Sequence, residues 1–161
     1  PVKRHGEPPA LIPCLDAADE IRKIREAIRC FRTGKNVSLG IILKTDAAAK
    51  DMYEVLAGYD GVEENQVEEN QVEGNGEEAC DISLLTREST SFQNGISITS
   101  VRMSKGLEFD EVLIPQADCR TYTSDFDRGL LYIACTRAMH RLTLTYSGKE
   151  TEFISGQPPF L

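Results

Sequence analysis

Short apolar runs, spaced along the chain, restrict its fold more than any other feature of the sequence. The run "SLGIIL" at Ser38–Leu43 is apolar almost throughout. Strands of this kind are typical of parallel sheets, in which both faces of the sheet are covered. Further strands are predicted at Ala10–Leu15, Asp81–Leu85, Ile96–Val101, Glu111–Pro115 and Arg141–Gly148, the first of them at a sheet edge.

Helical patterns lie between these strands. Apolar residues repeat at helical spacing from Asp16, which is predicted to cap a helix, to Gly34, which is predicted to end it. Two more helices are predicted, one from Thr45 or Asp46 to Gly58 and one from near Ser124 or Asp125 to about His140. Strands that alternate with amphipathic helices predict an α/β fold, with a mostly parallel sheet and helices on both faces.

The composition excludes several classes of protein. The 161 residues suffice for one domain, and no apolar run approaches the roughly 20 residues of a membrane span. The five cysteines form no C-x-x-C pair and there are only two histidines, so no metal site is predicted. Scattered free thiols indicate the reducing cytoplasm. Because the chain begins at Pro1 rather than at a methionine, we expect it to be a piece of a longer protein.

The net charge of −8 belongs to one segment. Residues 60–79 contain eight of the 26 acidic residues and no lysine or arginine, which leaves 18 acids against 18 bases elsewhere. The segment includes the repeat "VEENQVEENQVEGNG" and few apolar residues. Such a composition cannot form a core, so an acidic flexible insertion into the domain is predicted at 60–79.

The chain has no loop of the kind that cradles phosphates in P-loop ATPases. That loop reads G-x-x-x-x-G-K-[ST], and neither Gly34-Lys35 nor Gly148-Lys149 fits it. The chain is therefore not a complete P-loop ATPase.

The loop after the predicted strand Ile96–Val101 is the first candidate site. Ligands of parallel sheets bind at the carboxyl ends of strands, where this loop offers Ser104, Lys105 and Gly106. Glycine lets the backbone approach an anion and lysine adds a charge, while Glu108 is an acceptor for a sugar hydroxyl. From these residues alone, an ordinary turn before a strand is the alternative interpretation.

Arg137 is the second candidate. It shares one face of the predicted third helix with Leu130, Ile133 and Ala134. An arginine on an apolar face must reach an anion or the solvent at the helix end. Two interpretations remain open from the spacing: an arginine that caps the helix and meets its dipole, and an arginine aimed at a phosphate.

Three stretches, in the same order along the chain, resemble superfamily 1 helicases of the UvrD/Rep/PcrA type. "ISITSVRMSKGLEFDEVLIP" resembles their motif V, and "DRGLLYIACTRAMHRLTLTY" resembles their motif VI and its following strand. "GIILKTDAAAKDMYEVL" is similar to the strand and helix that carry R-T-N-A-Q-S-R in that family. The segment "YIACTRAMHRL" is most similar in sequence to the helicase IV branch, which includes a motor that recycles RNA polymerase.

The resemblance implies that residues 1–161 are one RecA-like lobe, the C-terminal 2A domain of a two-lobed motor. ATP would lie between this lobe and the N-terminal lobe, which would also hold Mg²⁺. In that case Gly106 lies near the phosphates, Glu108 holds the ribose, and Arg137 is the arginine finger on the γ-phosphate. Ser100, Arg102 and Lys105 would form part of the track for single-stranded DNA.

The sequence departs from the family pattern at several positions. Arg102 stands where UvrD-type motif V often has histidine, and Lys44 and Lys50 replace the arginines of R-T-N-A-Q-S-R, with Ala48 in place of its glutamine. The gap that holds a 2B domain in UvrD-type proteins contains only the acidic repeat and one predicted strand.

The resemblance thus implies an ATP-dependent DNA helicase or translocase in the cytoplasm, with no membrane partner. The expected partners are the N-terminal lobe and single-stranded DNA. The alternatives are a helicase-IV-like ATPase that acts on RNA polymerase, and a non-catalytic interaction module with the same fold. Without a P-loop, this chain alone is expected not to hydrolyse ATP.

Overall fold

The computed structural model describes residues 8–58, 82–87 and 94–155. The strands are β1 Ala10–Cys14, β2 Ser38–Leu43, β3 Ile82–Leu84, β4 Gly95–Ser100, β5 Phe109–Ile114 and β6 Ala138–Ser147. The helices are α1 Ala17–Thr33, α2 Asp46–Ala57, α3 Asp125–Cys135 and α4 Glu152–Ser155. The predicted acidic insertion at 60–79 lies outside the described residues.

All six strands form one sheet in the order β1-β6-β5-β2-β4-β3, and every pairing between them is parallel. The strand β1 lies at an edge, as predicted. The sheet separates two apolar layers, and residues of the central strands alternate between them. Val112 and Ile114 of β5 face the layer that contains α3, whereas Leu113 faces the layer that contains α1 and α2. The predicted α/β fold with helices on both faces is therefore confirmed.

Side-chain caps fix the start of each long helix. Asp16 accepts a hydrogen bond from the backbone N–H of Asp19 at 2.8 Å, and Thr45 accepts one from Ala48 at 3.1 Å. Ser124 forms a reciprocal capping box with Asp127. These caps satisfy backbone donors that have no partner inside the helix, and they lie where the sequence predicted them.

The end of the third helix differs from the prediction. The helix α3 ends at Cys135, not near His140, and β6 begins at Ala138 rather than at Arg141. The backbone N–H of Phe109 donates to the carbonyl of Arg137 at 2.9 Å, which draws this turn into the sheet. Arg137 therefore lies in the turn after α3, and the prediction that it lies on the apolar face of a helix is wrong.

A buried carboxylate links α1 to the sheet. Glu20, in the first turn of α1, accepts from the backbone N–H of Gln116 at 3.0 Å and from the Thr145 hydroxyl at 2.8 Å. Gln116 has a φ of 57°, which is uncommon for a residue other than glycine. Because Glu20 holds its N–H, the chain leaving β5 is kept in this conformation.

Gly40 in β2 makes room for the ring of Phe109, the first residue of β5. A Cβ atom at position 40 would lie 2.5 Å from Cδ2 of that ring, much closer than real Cβ contacts. Phe109 is fully buried, so its ring has no free space into which to move. The glycine is thus required for the position at which β5 begins.

The described helices and side chains also limit what this part of the chain can do. None of the helices in the described ranges has the length and apolar character needed to cross a membrane. Within the same ranges, His, Cys, Asp and Glu side chains form no group that could hold a metal ion.

Gly40→Ala should destabilise the chain, because the added methyl group overlaps the Phe109 ring. Overpacking of this kind costs about 1–3 kcal/mol, and each kcal/mol lowers the thermal midpoint by roughly 2–4 °C for a chain of this size. Gly129→Ala is the matched control. Gly129 lies inside α3, and no atom outside its own stretch of helix lies within 4 Å of its Cβ position, so this change should stabilise the helix by about 1 kcal/mol. An unchanged or raised midpoint for Gly40→Ala would contradict the packing argument.

Candidate functional site

The loop 101–108 joins β4 to β5. It runs from the side of the sheet where the strands end, the carboxyl edge, to the side where they begin, the amino edge. The two strands lie on either side of β2 and are parallel to it. Ser100 at the end of β4 pairs with Leu43 at the end of β2, whereas Phe109 begins β5 near the start of β2. At about 3.3 Å per residue, these two points are roughly 20 Å apart along the strands.

The candidate residues consequently fall into two groups. Ser100, Arg102 and Asp46 lie at the carboxyl ends of the strands, and we call them the carboxyl-edge group. Gly106, Glu108 and Arg137 lie where β5 and β6 begin, and we call them the amino-edge group. The expectation that Gly106 would lie at the carboxyl edge is wrong, because the loop has already crossed the sheet at that point.

The carboxyl-edge group is held together by Asp46, the first residue of α2. Ser100 is buried, and its hydroxyl donates to Oδ1 of Asp46 and accepts from the backbone N–H of Met103 at 3.2 Å. The guanidinium of Arg102 forms an ion pair with Oδ2 of the same carboxylate. The pKa of Asp46 is held below its ordinary value, mainly by the hydrogen bond from the Ser100 hydroxyl and to a smaller extent by Arg102. Its carboxyl is therefore ionised at neutral pH.

The amino-edge group is held together by Arg137, which is half-buried. Its Nη1 donates to the carbonyl of Leu107 at 3.4 Å, and its Nε donates to the carbonyl of Ile133 at 3.3 Å. Its Nη2 donates to the Thr136 hydroxyl at 3.2 Å. The contact with Ile133 caps the end of α3, which is the first of the two sequence interpretations. The contact with Leu107 places the guanidinium against the loop between Gly106 and Glu108.

Gly106 and Glu108 are both exposed beside Arg137. Gly106 has a φ of 81°, in the region that favours glycine, and a Cβ atom there would meet nothing within 4 Å. Glycine is therefore needed for the conformation of the turn, and the space above its backbone is open. The turn thus combines an open backbone at Gly106, the Leu107 carbonyl bound by Arg137, and an exposed carboxylate at Glu108.

Hydrogen bonds fix the part of the loop between the two groups. The backbone N–H of Ser104 donates to the carbonyl of Ser100 at 3.0 Å, and the buried Ser104 hydroxyl donates to the carbonyl of Val101 at 2.7 Å. The N–H of Leu107 donates to the Ser104 carbonyl at 3.0 Å. Lys105 lies exposed on this ordered turn, between the two groups.

Sequence reasoning missed a third cluster, centred on Lys44. Its Nζ lies 3.0 Å from Oδ1 of Asp127 and 2.7 Å from the carbonyl of Thr121, and 6.0 Å from the centre of the Tyr122 ring. The pKa of Asp127 is held well below its ordinary value, mainly by the hydrogen bond from the backbone N–H of Thr123 and to a smaller extent by Lys44. Lys44 thus ties the end of β2 to the start of α3. The sequence indicated the cap at Ser124 and a motif position at Lys44, but gave no signal that Lys44 would reach Asp127, 83 residues away in the chain.

Comparison with known proteins bears on these groups. Residues 95–145 match the model of the UvrD-like helicase C-terminal domain family. The resemblance to UvrD-type helicases is confirmed. The structure is similar to that of the C-terminal domain of a possible DNA helicase from Lactobacillus plantarum WCFS1, with a TM-score of 0.71 and 22% identity over 91% of this chain and 78% of that one. No curated protein matches the chain.

The UvrD-like match covers every site residue predicted from the sequence, since Ser100 and Arg137 both lie inside 95–145. It does not extend to Asp46 or Lys44, which join the matched segment only through the folded structure. The helicase IV branch stays a prediction.

Asp127→Asn should lower the thermal midpoint at neutral pH, because the amide is a weaker acceptor for the Thr123 N–H and carries no charge for Lys44. The pKa of Asp127 is lowered from 3.8 in the folded chain. Its carboxylate therefore contributes its full stability above that ordinary value, and the contribution is lost as the pH falls towards the lowered pKa. The wild type should unfold at a higher temperature than Asp127→Asn. This difference in thermal midpoint should be the same at about pH 7 and about pH 5 and should become smaller at about pH 3.

Asp125→Asn is the matched control, since Asp125 lies exposed in the first turn of the same helix. It should alter the midpoint far less at every pH. A gap for Asp127→Asn that stays constant or widens in acid would show that the carboxylate is not stabilised by these contacts.

Proposed function

We propose that this chain is the C-terminal motor lobe of an ATP-dependent DNA helicase or translocase. In this proposal the N-terminal lobe of the same protein binds ATP and Mg²⁺, and this lobe closes over the nucleotide. The observation that carries the proposal is the contact of Arg137 with the Leu107 carbonyl. It joins the two segments that resemble motifs V and VI at a single place.

The amino-edge group has the chemistry that a nucleotide requires. Arg137 presents a planar fork of donors, which suits phosphate oxygens. The open backbone at Gly106 allows close approach of an anion, and the exposed Glu108 is an acceptor for ribose hydroxyls. ATP supplies the phosphoryl group whose hydrolysis drives the motor, and the residues of this chain orient it and stabilise its charge.

The contacts that Arg137 makes in the folded lobe are compatible with a finger. All three of its acceptors are neutral, namely two carbonyls and a hydroxyl. A phosphate offers a full negative charge and a pair of oxygens that match the planar fork of the guanidinium, whereas a carbonyl or a hydroxyl offers only a dipole. When the lobes close, we expect the guanidinium to exchange part of this set for the γ-phosphate.

Ser100 and Arg102 of the carboxyl-edge group, together with Lys105, are proposed as part of the track for single-stranded DNA. Arg102 and Lys105 are exposed cations, and contacts with phosphates supply most of the affinity of sequence-independent binding. The loop 101–108 contains residues of both groups, Arg102 near its start and Gly106 and Glu108 near its end. A displacement of its Gly106 end on nucleotide binding would be carried to Arg102 through the hydrogen bonds at Ser104.

The capping contact between Arg137 and Ile133 favours a second candidate, a non-catalytic module in which this arginine only stabilises the turn. Action on RNA polymerase, as in the helicase IV branch, remains the other alternative. The two roles of Arg137 predict opposite results for its removal.

Arg137→Ala in the full-length protein should lower kcat for DNA-stimulated ATP hydrolysis by about 10³-fold, as for other arginine fingers. The affinity for nucleotide should change much less, because the charge matters most in the transition state. Arg137→Lys should restore little activity, since a point charge does not reproduce the fork.

Arg141→Ala is the control for this experiment. Arg141 lies four residues further on in β6, half-exposed, with Nη1 3.3 Å from the Glu111 carboxylate. It should leave kcat near that of the wild type. Near-normal turnover of Arg137→Ala, together with a lowered thermal midpoint, would establish the structural role and overturn the finger.

A further inference from the structure

We propose that Asp46 is a built-in competitor for the phosphates of the nucleic acid. Its carboxylate occupies the donors of Ser100 and Arg102 when no strand is bound, and it must yield Arg102 when a strand binds. The inference rests on the proposed function, because it assumes that Arg102 contacts DNA.

The geometry of Asp46 resembles that of a bound phosphate. One carboxylate oxygen accepts from the Ser100 hydroxyl, and the other accepts from the Arg102 guanidinium. A phosphate also presents neighbouring oxygens as acceptors, and arginine binds both groups with the same donors. Asp46 thus holds two donors in the arrangement that a phosphate would use.

The ion pair is open to exchange. The side chain of Asp46 is 50% exposed and that of Arg102 is 55% exposed, so water and a phosphate can reach both. Ion pairs between exposed groups are weak and are screened by salt. The carboxylate therefore competes with a phosphate but does not exclude it.

The charge of Asp46 offsets the cations around it. The pKa of Asp46 is lowered first by the Ser100 hydroxyl and then by Arg102, and Arg87 also contributes. Since the pKa is lowered, the carboxylate stays charged at all pH values near neutrality. Removing this charge would leave Arg102 fully available and raise the positive potential at this edge of the sheet.

A weak internal competitor has a use in a motor. A strand that is held too tightly is released slowly, and the lobe must release its phosphates in each step. Because Asp46 rebinds Arg102 as a phosphate leaves, the guanidinium exchanges one anion for another and is never left without a partner. The affinity for DNA is lowered in return for faster release.

The test is Asp46→Asn in the full-length protein, with binding of a fluorescent oligo-dT measured by anisotropy over a series of salt concentrations. Asparagine keeps an oxygen for the Ser100 hydroxyl but loses the charge. We expect about two- to fivefold tighter binding at low salt, which corresponds to an exposed ion pair. The gain in affinity should shrink as the salt concentration rises, because salt screens the ion pair with which the phosphate competes.

Two controls locate the effect. Asp51→Asn removes the same charge from an exposed position of α2 and should change binding less than Asp46→Asn. In an Arg102→Ala background, Asp46→Asn should no longer tighten binding, because the competitor acts through Arg102. Asp46→Ala, which should also tighten binding, serves as a second variant if the asparagine protein does not fold.

The outcomes separate the inference from the proposed function. Arg102→Ala that leaves DNA affinity unchanged would overturn the DNA contact and the competitor together. Arg102→Ala that weakens binding, with Asp46→Asn unchanged or weaker, would overturn the competitor alone and make Asp46 a residue that positions Arg102. An equal gain from Asp51→Asn, or a gain that persists without Arg102, would also overturn it.

Discussion

The parallel pairing of β2 with both β4 and β5 is the constraint on which the rest of the structure depends. A chain that leaves β4 at the carboxyl ends of parallel strands must return to their amino ends before it can begin β5. The loop 101–108 makes that return across roughly 20 Å. Both candidate groups are consequences of this one crossing, because they lie at its two ends.

The Phe109 ring fixes where the crossing ends. It lies over Gly40, fully buried, and the backbone of Phe109 bonds to the carbonyl of Arg137. The same residue therefore sets the start of β5 and draws the turn after α3 towards the loop. Arg137 reaches the Leu107 carbonyl because this packing brings two distant segments together. The position of the proposed finger thus follows from core packing and strand pairing.

Much of the fold could be predicted from the sequence, because the signals involved are local. The strand Ser38–Leu43 is an apolar run, and the caps at Asp16 and Thr45 act within three residues of themselves. The end of α3 could not be predicted in this way. The residues after Cys135 continue a helical pattern, but pairing of Ala138 with Phe109 decides their conformation. That contact joins positions far apart in the chain.

The candidate site follows the same division. The residues that resemble motifs V and VI could be read from the sequence, since each motif is a continuous stretch. The partners that hold them could not, because Asp46 meets Arg102, and Lys44 meets Asp127, only after the sheet has formed. Contacts of this kind decide whether an arginine is available to a ligand. The sequence of a motif therefore does not show by itself whether its arginine is free to bind.

The span of the loop has a further consequence for the evolution of such a lobe. Residues 101–108 cover much of the distance that an extended chain of their length could reach, and they also form an ordered turn. Little spare length is left, so the loss of a residue would strain the connection. An insertion between Arg102 and Gly106 would leave the buried Val101 and the two strands in place, since Ser100 and Phe109 are fixed by their own pairings. It would introduce mechanical slack between the two edges of the sheet. In the proposed motor, selection should therefore act on the length of the loop as strictly as on its residues.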